Sequence, residues 1–219
     1  MSRRFANRAE AGRLLAEELL ALRLTEPVVL ALPRGGVPVG LEVARLLHAP
    51  MDLLFVRKIG APGHAEYGIG AVVDGTPPQV VINEALAHSV GASSEYIRHQ
   101  VDREVQEIAR HRSLYRTGPA VALAGRTVIV VDDGIATGGT VRAALEALHR
   151  SEARRIVLAV PVSPRDAIEA LAPLCDHVVC LETPSPFHAV GAHYVDFTQT
   201  TDAEVIDAMH AAQECAHAP

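Results

Sequence analysis

Hydrophobic residues in this chain come in short unbroken runs, separated by longer stretches in which they recur every three or four positions. The runs at 27–32, 52–56, 127–131, 155–160 and 177–181 are too short for helices and rich in β-branched residues, so each predicts a strand. Helical spacing predicts helices over 41–47, 94–115, 139–150, 163–171 and 202–214. The longest carries Ile97, Val101, Val105 and Ile108 on one stripe. In the 163–171 helix, Ser163 is expected at the N-cap and Pro164 at the first helical position. The opening stretch reads as an amphipathic helix capped by Asn7. Two shorter runs, 69–73 and 79–82, are predicted to pair around an Asp74-Gly75 turn.

Strands that are apolar on both faces and alternate with helices imply an α/β fold. Its sheet is expected to be doubly wound and mainly parallel, covered on each side. In such sheets ligands gather beyond the carboxyl ends of the strands. Three unusual stretches leave carboxyl ends, after Leu32, Val56 and Val131. The second runs from Ile59 to Gly70 with glycines at 60, 63, 68 and 70, Pro62, and no apolar period, which predicts a mobile lid. Glu66 and Tyr67 within it are either catalytic groups or incidental polar residues. No repeat, low-complexity tract or linker interrupts the chain, so one domain is expected over 1–219, with its core at about 28–182.

Composition narrows the partners. The chain has 219 residues, 49% hydrophobic, with a formal charge of −6, which favours neither a nucleic-acid nor a membrane surface. Glu17 and Glu18 in the first helix argue against a transit peptide, and no signal-peptide pattern or membrane-length apolar run is present. Three cysteines, Cys175, Cys180 and Cys215, in no recognisable spacing suit reduced thiols and a cytoplasmic protein.

The densest chemistry lies at "VVDDGIATGGT", residues 130–140. Asp132 and Asp133 end an apolar strand, and Ala136, Thr137, Gly138, Gly139 and Thr140 lead into a helix. Small residues at a helix N-terminus expose backbone N–H groups and form an anion site. The two acids would repel a bare phosphate, so they should meet sugar hydroxyls or a bound Mg²⁺ on the same ligand. A sugar phosphate satisfies both halves. A nucleotide P-loop is rejected because Thr140 stands where that motif needs lysine, and "GIGAVV" lacks the third glycine of a dinucleotide fingerprint. The plainer alternative is two acids capping an ordinary turn.

The stretch "VIVVDDGIATGGT" resembles the signature with which type I phosphoribosyltransferases bind PRPP, phosphoribosyl pyrophosphate. "LPRGGVPVG" is similar to the family's pyrophosphate loop and "VRKIGAPG" to the start of its mobile catalytic loop, so the resemblance spans roughly residues 28–160. It implies that fold, with a variable hood outside the core. It also implies that Asp132 and Asp133 hold the ribose hydroxyls, partly through Mg²⁺, and that residues 136–140 hold the 5′-phosphate. Arg34, Gly35 and Gly36 would receive pyrophosphate, with Arg57 and Lys58 adding positive charge at the leaving group. The implied reaction is displacement of pyrophosphate from C1 of PRPP by a nitrogen nucleophile, an unidentified acceptor base.

The hood candidates are the N-terminal helix and the tail, where Phe187, His188, Tyr194 and Phe197 offer either stacking surfaces or simple packing. His188 and His193 have no further ligand at zinc spacing. The outer face of the 94–115 helix, mixing Arg98, Arg103 and Arg110 with Asp102, Glu104 and Glu107, is either a solvated face or a homodimer contact. A non-catalytic sensor of PRPP or a nucleotide is the alternative function, and a hydrolase or phosphatase a third.

Overall fold

The computed structural model describes residues 4–75, 77–115 and 118–216. At its centre are β1 (Pro27–Ala31), β2 (Met51–Leu53), β6 (Thr127–Val131), β7 (Arg155–Val162) and β8 (His177–Glu182). They form a parallel sheet in the order β2-β1-β6-β7-β8. Its buried strands are apolar on both sides because each side faces a helical layer. Val29, Ile129 and Val157 point into one core cluster, and Val28, Val128 and Leu158 point into the other. The first cluster is closed by α1 (Arg8–Ala21), α2 (Gly36–Leu47), α4 (Ser94–Tyr115) and α7 (Asp202–Ala216). The second is closed by α5 (Gly139–Leu148) and α6 (Arg165–Leu171). The doubly wound parallel sheet is therefore present as expected.

Register decides where a ligand can be reached. Ala31 stands opposite both Leu53 and Val131, so β1, β2 and β6 finish at one level. The Leu32 N–H donates to the Val131 carbonyl at 2.9 Å, which carries the alignment one residue further. The loops after β1 and β6 leave side by side.

The segment expected as an aperiodic loop has regular structure. Residues 59–70 belong to a second, antiparallel sheet of β3 (Val56–Ala61), β4 (His64–Val73) and β5 (Gln79–Ile82). The strand expected over 52–56 is split between β2 and β3. Two of the glycines that suggested looseness allow close approach: a Cβ on Gly60 would lie 2.5 Å from the Ala65 carbonyl oxygen, and one on Gly70 2.4 Å from the Val81 carbonyl oxygen across the strands. The β4–β5 hairpin is found where two shorter runs were expected to pair around Asp74-Gly75. The helix α4 backs this sheet, and the Tyr96 hydroxyl donates to the Gly60 carbonyl at 2.9 Å.

Smaller departures have local causes. A short helix, α3 (Glu84–Ser89), follows β5, with Asn83 accepting from the Leu86 N–H. Pro164, not Ser163, occupies the N-cap of α6, and the Ser163 hydroxyl donates instead to the Pro164 carbonyl. Asn7 caps α1 as expected, accepting from the Glu10 N–H at 2.9 Å. The three cysteines are free and half-buried. Among the described residues no helix is long and apolar enough to cross a membrane.

Candidate functional site

The strand β6 is wholly buried, and Asp132 and Asp133 stand immediately past its end. The Asp133 N–H donates to Asp132 Oδ1 at 2.8 Å, which fixes the first carboxylate against the backbone. Asp133 Oδ2 accepts from Arg8 Nε at 2.8 Å. The Tyr194 hydroxyl donates to the Asp133 carbonyl at 2.6 Å. Burial, and then the neighbouring charge of Asp133, holds Asp132 well above the usual carboxylate range. Burial also raises Asp133, against the pull of Arg8. One guanidinium thus serves two carboxylates, and a further cation or a set of hydroxyl donors would favour full ionisation of the pair.

The loop after β1 presses on these acids. Gly35 is the N-cap of α2 with φ −60°, a backbone any residue adopts, so conformational freedom is not its purpose. Space is. A Cβ on Gly35 would lie 2.2 Å from Asp133 Oδ2, and one on Gly36 would lie 2.7 Å from the Val131 carbonyl oxygen. Only glycines let the first loop reach the acid pair.

Beyond Asp133, Ile135 is buried and its N–H donates to the Val162 carbonyl at 2.9 Å, anchoring the collar. Ala136, Thr137, Gly139 and Thr140 are exposed. Gly138 caps α5 in the left-handed region, φ +76°, and brings no side chain to the helix end. No acid stands in the first turn, and a Cβ on Gly139 would meet nothing within 4 Å. An open, uncapped helix N-terminus of this kind favours an anion.

The basic residues divide. Arg34 extends toward α7, with its Nη1 3.2 Å from Asp202 Oδ1. Arg57 and Lys58 are consecutive on β3 and so face opposite sides. Arg57 Nε donates at 3.0 Å to the buried Glu104 of α4 and opens, with Arg34 and Thr140, onto a cavity of about 390 Å³. Lys58 instead lines a cavity of about 650 Å³ together with Thr137, Gly139 and Thr140. Both cavities meet at Thr140, but the two cations do not share one.

Several residues at the Arg34–Arg57 cavity were not legible in the sequence. Arg110, His111 and Tyr115 reach it from α4. His111 stacks on Tyr115 at 5.7 Å, and its pKa is lowered by burial and then by Arg110 and Arg57. Burial and the hydrogen bond to Asp202 push the Tyr115 hydroxyl up to about 12. Nothing in linear spacing points to them, since they come from a helix whose pattern reads as packing.

The N-terminal segment and the tail meet at the site, and several of the tail aromatics pack against protein. Tyr194 is buried against Phe5, with ring centroids 5.4 Å apart. Phe187 stacks on His193, and Phe197 lies beneath Arg8. His188 and Tyr67 are exposed, and the side chain of Glu66 lies outside the described residues. Among the described residues, no three histidine, cysteine or acidic side chains converge as a metal cage.

The "Phosphoribosyl transferase domain" family matches residues 80–196, from β5 through the acid pair and collar to the tail. Two curated Mycobacterium tuberculosis relatives, "Putative phosphoribosyl transferase MT0597" and "Putative phosphoribosyl transferase Rv0571c", are each 42% identical over 203 residues. The match takes in 92% of this chain but 45% of each relative, so the chain spans less than half their length. The crystal structure of TT1426 from Thermus thermophilus is 41% identical, covers 94% of this chain and 97% of its own, and superposes with a TM-score of 0.80. A Neisseria gonorrhoeae hypothetical protein with bound ppGpp, 12% identical, shares the fold alone at a TM-score of 0.50, covering 99% and 97% of the two chains. With the family match falling on the strand, acids and collar described above, the chain belongs to the phosphoribosyl transferase domain family.

Proposed function

We propose that this chain transfers the 5-phosphoribosyl group of PRPP to a nitrogen acceptor, a nucleobase, and releases pyrophosphate. One observation carries the reading: two half-buried carboxylates that share a single arginine stand next to an open, uncapped helix N-terminus, and the glycine loop after β1 is pressed against the same acids. A ribose bearing phosphate at one end and pyrophosphate at the other would use all three features.

In this reading the collar, residues 136–140, takes the 5′-phosphate through backbone N–H groups and the hydroxyls of Thr137 and Thr140. Asp132 and Asp133 accept hydrogen bonds from the ribose 2′- and 3′-hydroxyls. Arg34 and Arg57 meet the pyrophosphate, with Lys58 reaching the ligand from the other side of β3. The C1–O bond to pyrophosphate breaks, a C1–N bond to the acceptor forms, and the proton on the acceptor nitrogen passes to the departing pyrophosphate or to water. Positive charge grows on the ring beside the acids and negative charge on pyrophosphate beside the arginines. Groups fixed before the reaction stabilise both charges without reorganising.

The donor set also suits Mg²⁺. That ion is commonly held by one or two carboxylates together with substrate phosphates and water. Asp132 and Asp133 would hold it, which agrees with a half-buried pair that shares one arginine. When bound, the ion would neutralise charge developing on the leaving group.

The test is pyrophosphate release from PRPP with Mg²⁺ against purine, pyrimidine and nicotinic acceptors, beside a control without acceptor. Release that depends on one acceptor, with the matching nucleotide detected by mass, would support the proposal. PRPP binding by calorimetry without release would favour a ligand sensor, and no PRPP binding would overturn the reading.

A further inference from the structure

Arg8 is the first residue of α1, yet the fold carries it across 125 sequence positions to Asp133. The pair is nearly closed off, with side chains 11% and 13% exposed. Its guanidinium is held from two further sides. Nη1 donates to the Thr198 carbonyl at 2.7 Å, and the central carbon lies 3.9 Å over the ring of Phe197.

The two segments that supply these contacts are themselves laced together. Phe5 N–H donates to the His193 carbonyl at 2.8 Å, Val195 N–H to Phe5 at 2.8 Å, and Asp196 N–H to Ala6 at 2.9 Å. Exposed ion pairs contribute little because both partners move and are screened. This one is held from both sides and shielded from water.

We propose that Arg8 is a built-in cation that competes with a divalent metal for Asp133, so that metal entering the acid pair must displace or share the guanidinium. The inference rests on reading the pair as the metal and ribose site. A metal bound to Oδ2 would stand close to a guanidinium already on that oxygen, two like charges on one carboxylate. Nor can the carboxylate swing away freely, because the first loop stands behind it at Gly35. Coupling is reciprocal: whatever Arg8 takes from metal affinity, metal takes from the contact between Arg8 and Asp133. Asp132, which makes no hydrogen bond to Arg8 and accepts from its neighbour's backbone N–H, remains the open arm of the pair.

Mn²⁺ serves as the probe, with free ion counted by electron paramagnetic resonance on the full chain without PRPP. Arg8→Gln keeps an N–H donor at the position of Nε, the atom on Asp133, and removes the charge. It is expected to bind Mn²⁺ about tenfold tighter than the wild type, in the usual range for coupled sites. Arg8→Lys is expected to stay near the wild type, and in an Asp133→Asn background Arg8→Gln is expected to change nothing.

Unchanged or weaker Mn²⁺ binding by folded Arg8→Gln overturns the proposal, as does Mn²⁺ binding by neither protein. Should Arg8→Gln fail to fold, Phe197→Leu loosens the guanidinium without changing any charge. It is expected to tighten Mn²⁺ by about two- to fivefold, and no change would again overturn the competition. Calorimetry with PRPP runs beside these experiments. A wild type that ignores PRPP refutes the phosphoribosyl reading and leaves the competition measured. PRPP binding alongside metal affinity that is indifferent to Arg8 refutes the competition alone.

Discussion

Replacing Gly35 with alanine adds one methyl group at the most crowded point of the site. Backbone conformation is no obstacle, since φ is −60°. The new Cβ would lie 2.2 Å from Asp133 Oδ2, whereas ordinary contact begins at 3.4 Å, so the carboxylate or the first loop must give by about 1.2 Å. Oδ2 is also the atom that Arg8 holds at 2.8 Å, so the ion pair is disturbed with it. If Asp133 accepts a ribose hydroxyl, that displacement removes a charged hydrogen bond, about 1.5–3 kcal/mol. PRPP affinity should then fall by about 10- to 100-fold. Calorimetric titration with PRPP and Mg²⁺ measures it, and circular dichroism checks the fold. Gly139→Ala is the control for folding, because its Cβ would meet nothing within 4 Å and stability should hold within about 0.5 kcal/mol. A folded Gly35→Ala protein that binds PRPP within twofold of the wild type would refute the argument that the first loop and the acid pair form one site.

Other predictions follow from the same geometry. Asp132→Asn should raise the melting temperature of the ligand-free protein near neutral pH, by about 2–4 °C per kcal/mol recovered. The sign follows from its raised pKa: the folded state holds the proton more tightly than the unfolded chain, so its ionised carboxylate opposes folding as pH rises above the ordinary carboxylate range. The difference between variant and wild type should close as pH falls below about 4, where both states are protonated; a variant equally stable or less stable at pH 7 counts against a charge-deficient pair. Arg57→Ala should slow pyrophosphate release about 100-fold while the fold persists, and near-wild-type release would remove Arg57 from the leaving-group site. Leu158→Ala, in the buried centre of β7, should cost about 2–5 kcal/mol in urea unfolding, and a much smaller loss would contradict the two-sided packing of the sheet.

The parts of this molecule legible in its sequence are those whose cause is local. The runs that became β1, β6 and β7 are apolar without alternation because helices cover both faces, and that signature is contained within each run. The acid pair and collar are contiguous for a similar reason: strand end, carboxylates and helix start must follow one another for a single ligand to span them. The segment of residues 59–70 misled because glycine carries two meanings. Density of glycine and proline suggests a mobile loop, but here Gly70 makes room for a neighbouring strand. Once that segment is a strand, alternation sends Arg57 and Lys58 to opposite sides, a separation that adjacency in the sequence hides.

Arg8 and Tyr115, and the contact that Tyr194 makes, were illegible for a different reason. Their relevance lies in what they touch, and each touches something far along the chain: Arg8 the carboxylate of Asp133, Tyr115 that of Asp202, Tyr194 the backbone of Asp133. The tail aromatics were expected to serve either as stacking surfaces or as simple packing. Tyr194 cannot serve as a stacking surface, because its ring is buried and its hydroxyl is committed to the Asp133 carbonyl. What the ends supply is electrostatic. They deliver a cation to one of two neighbouring carboxylates and leave the other without one, so two acids that look interchangeable in the sequence stand in different environments. A substitution at either chain end is therefore expected to act on ligand binding through Asp133, at a distance no motif records.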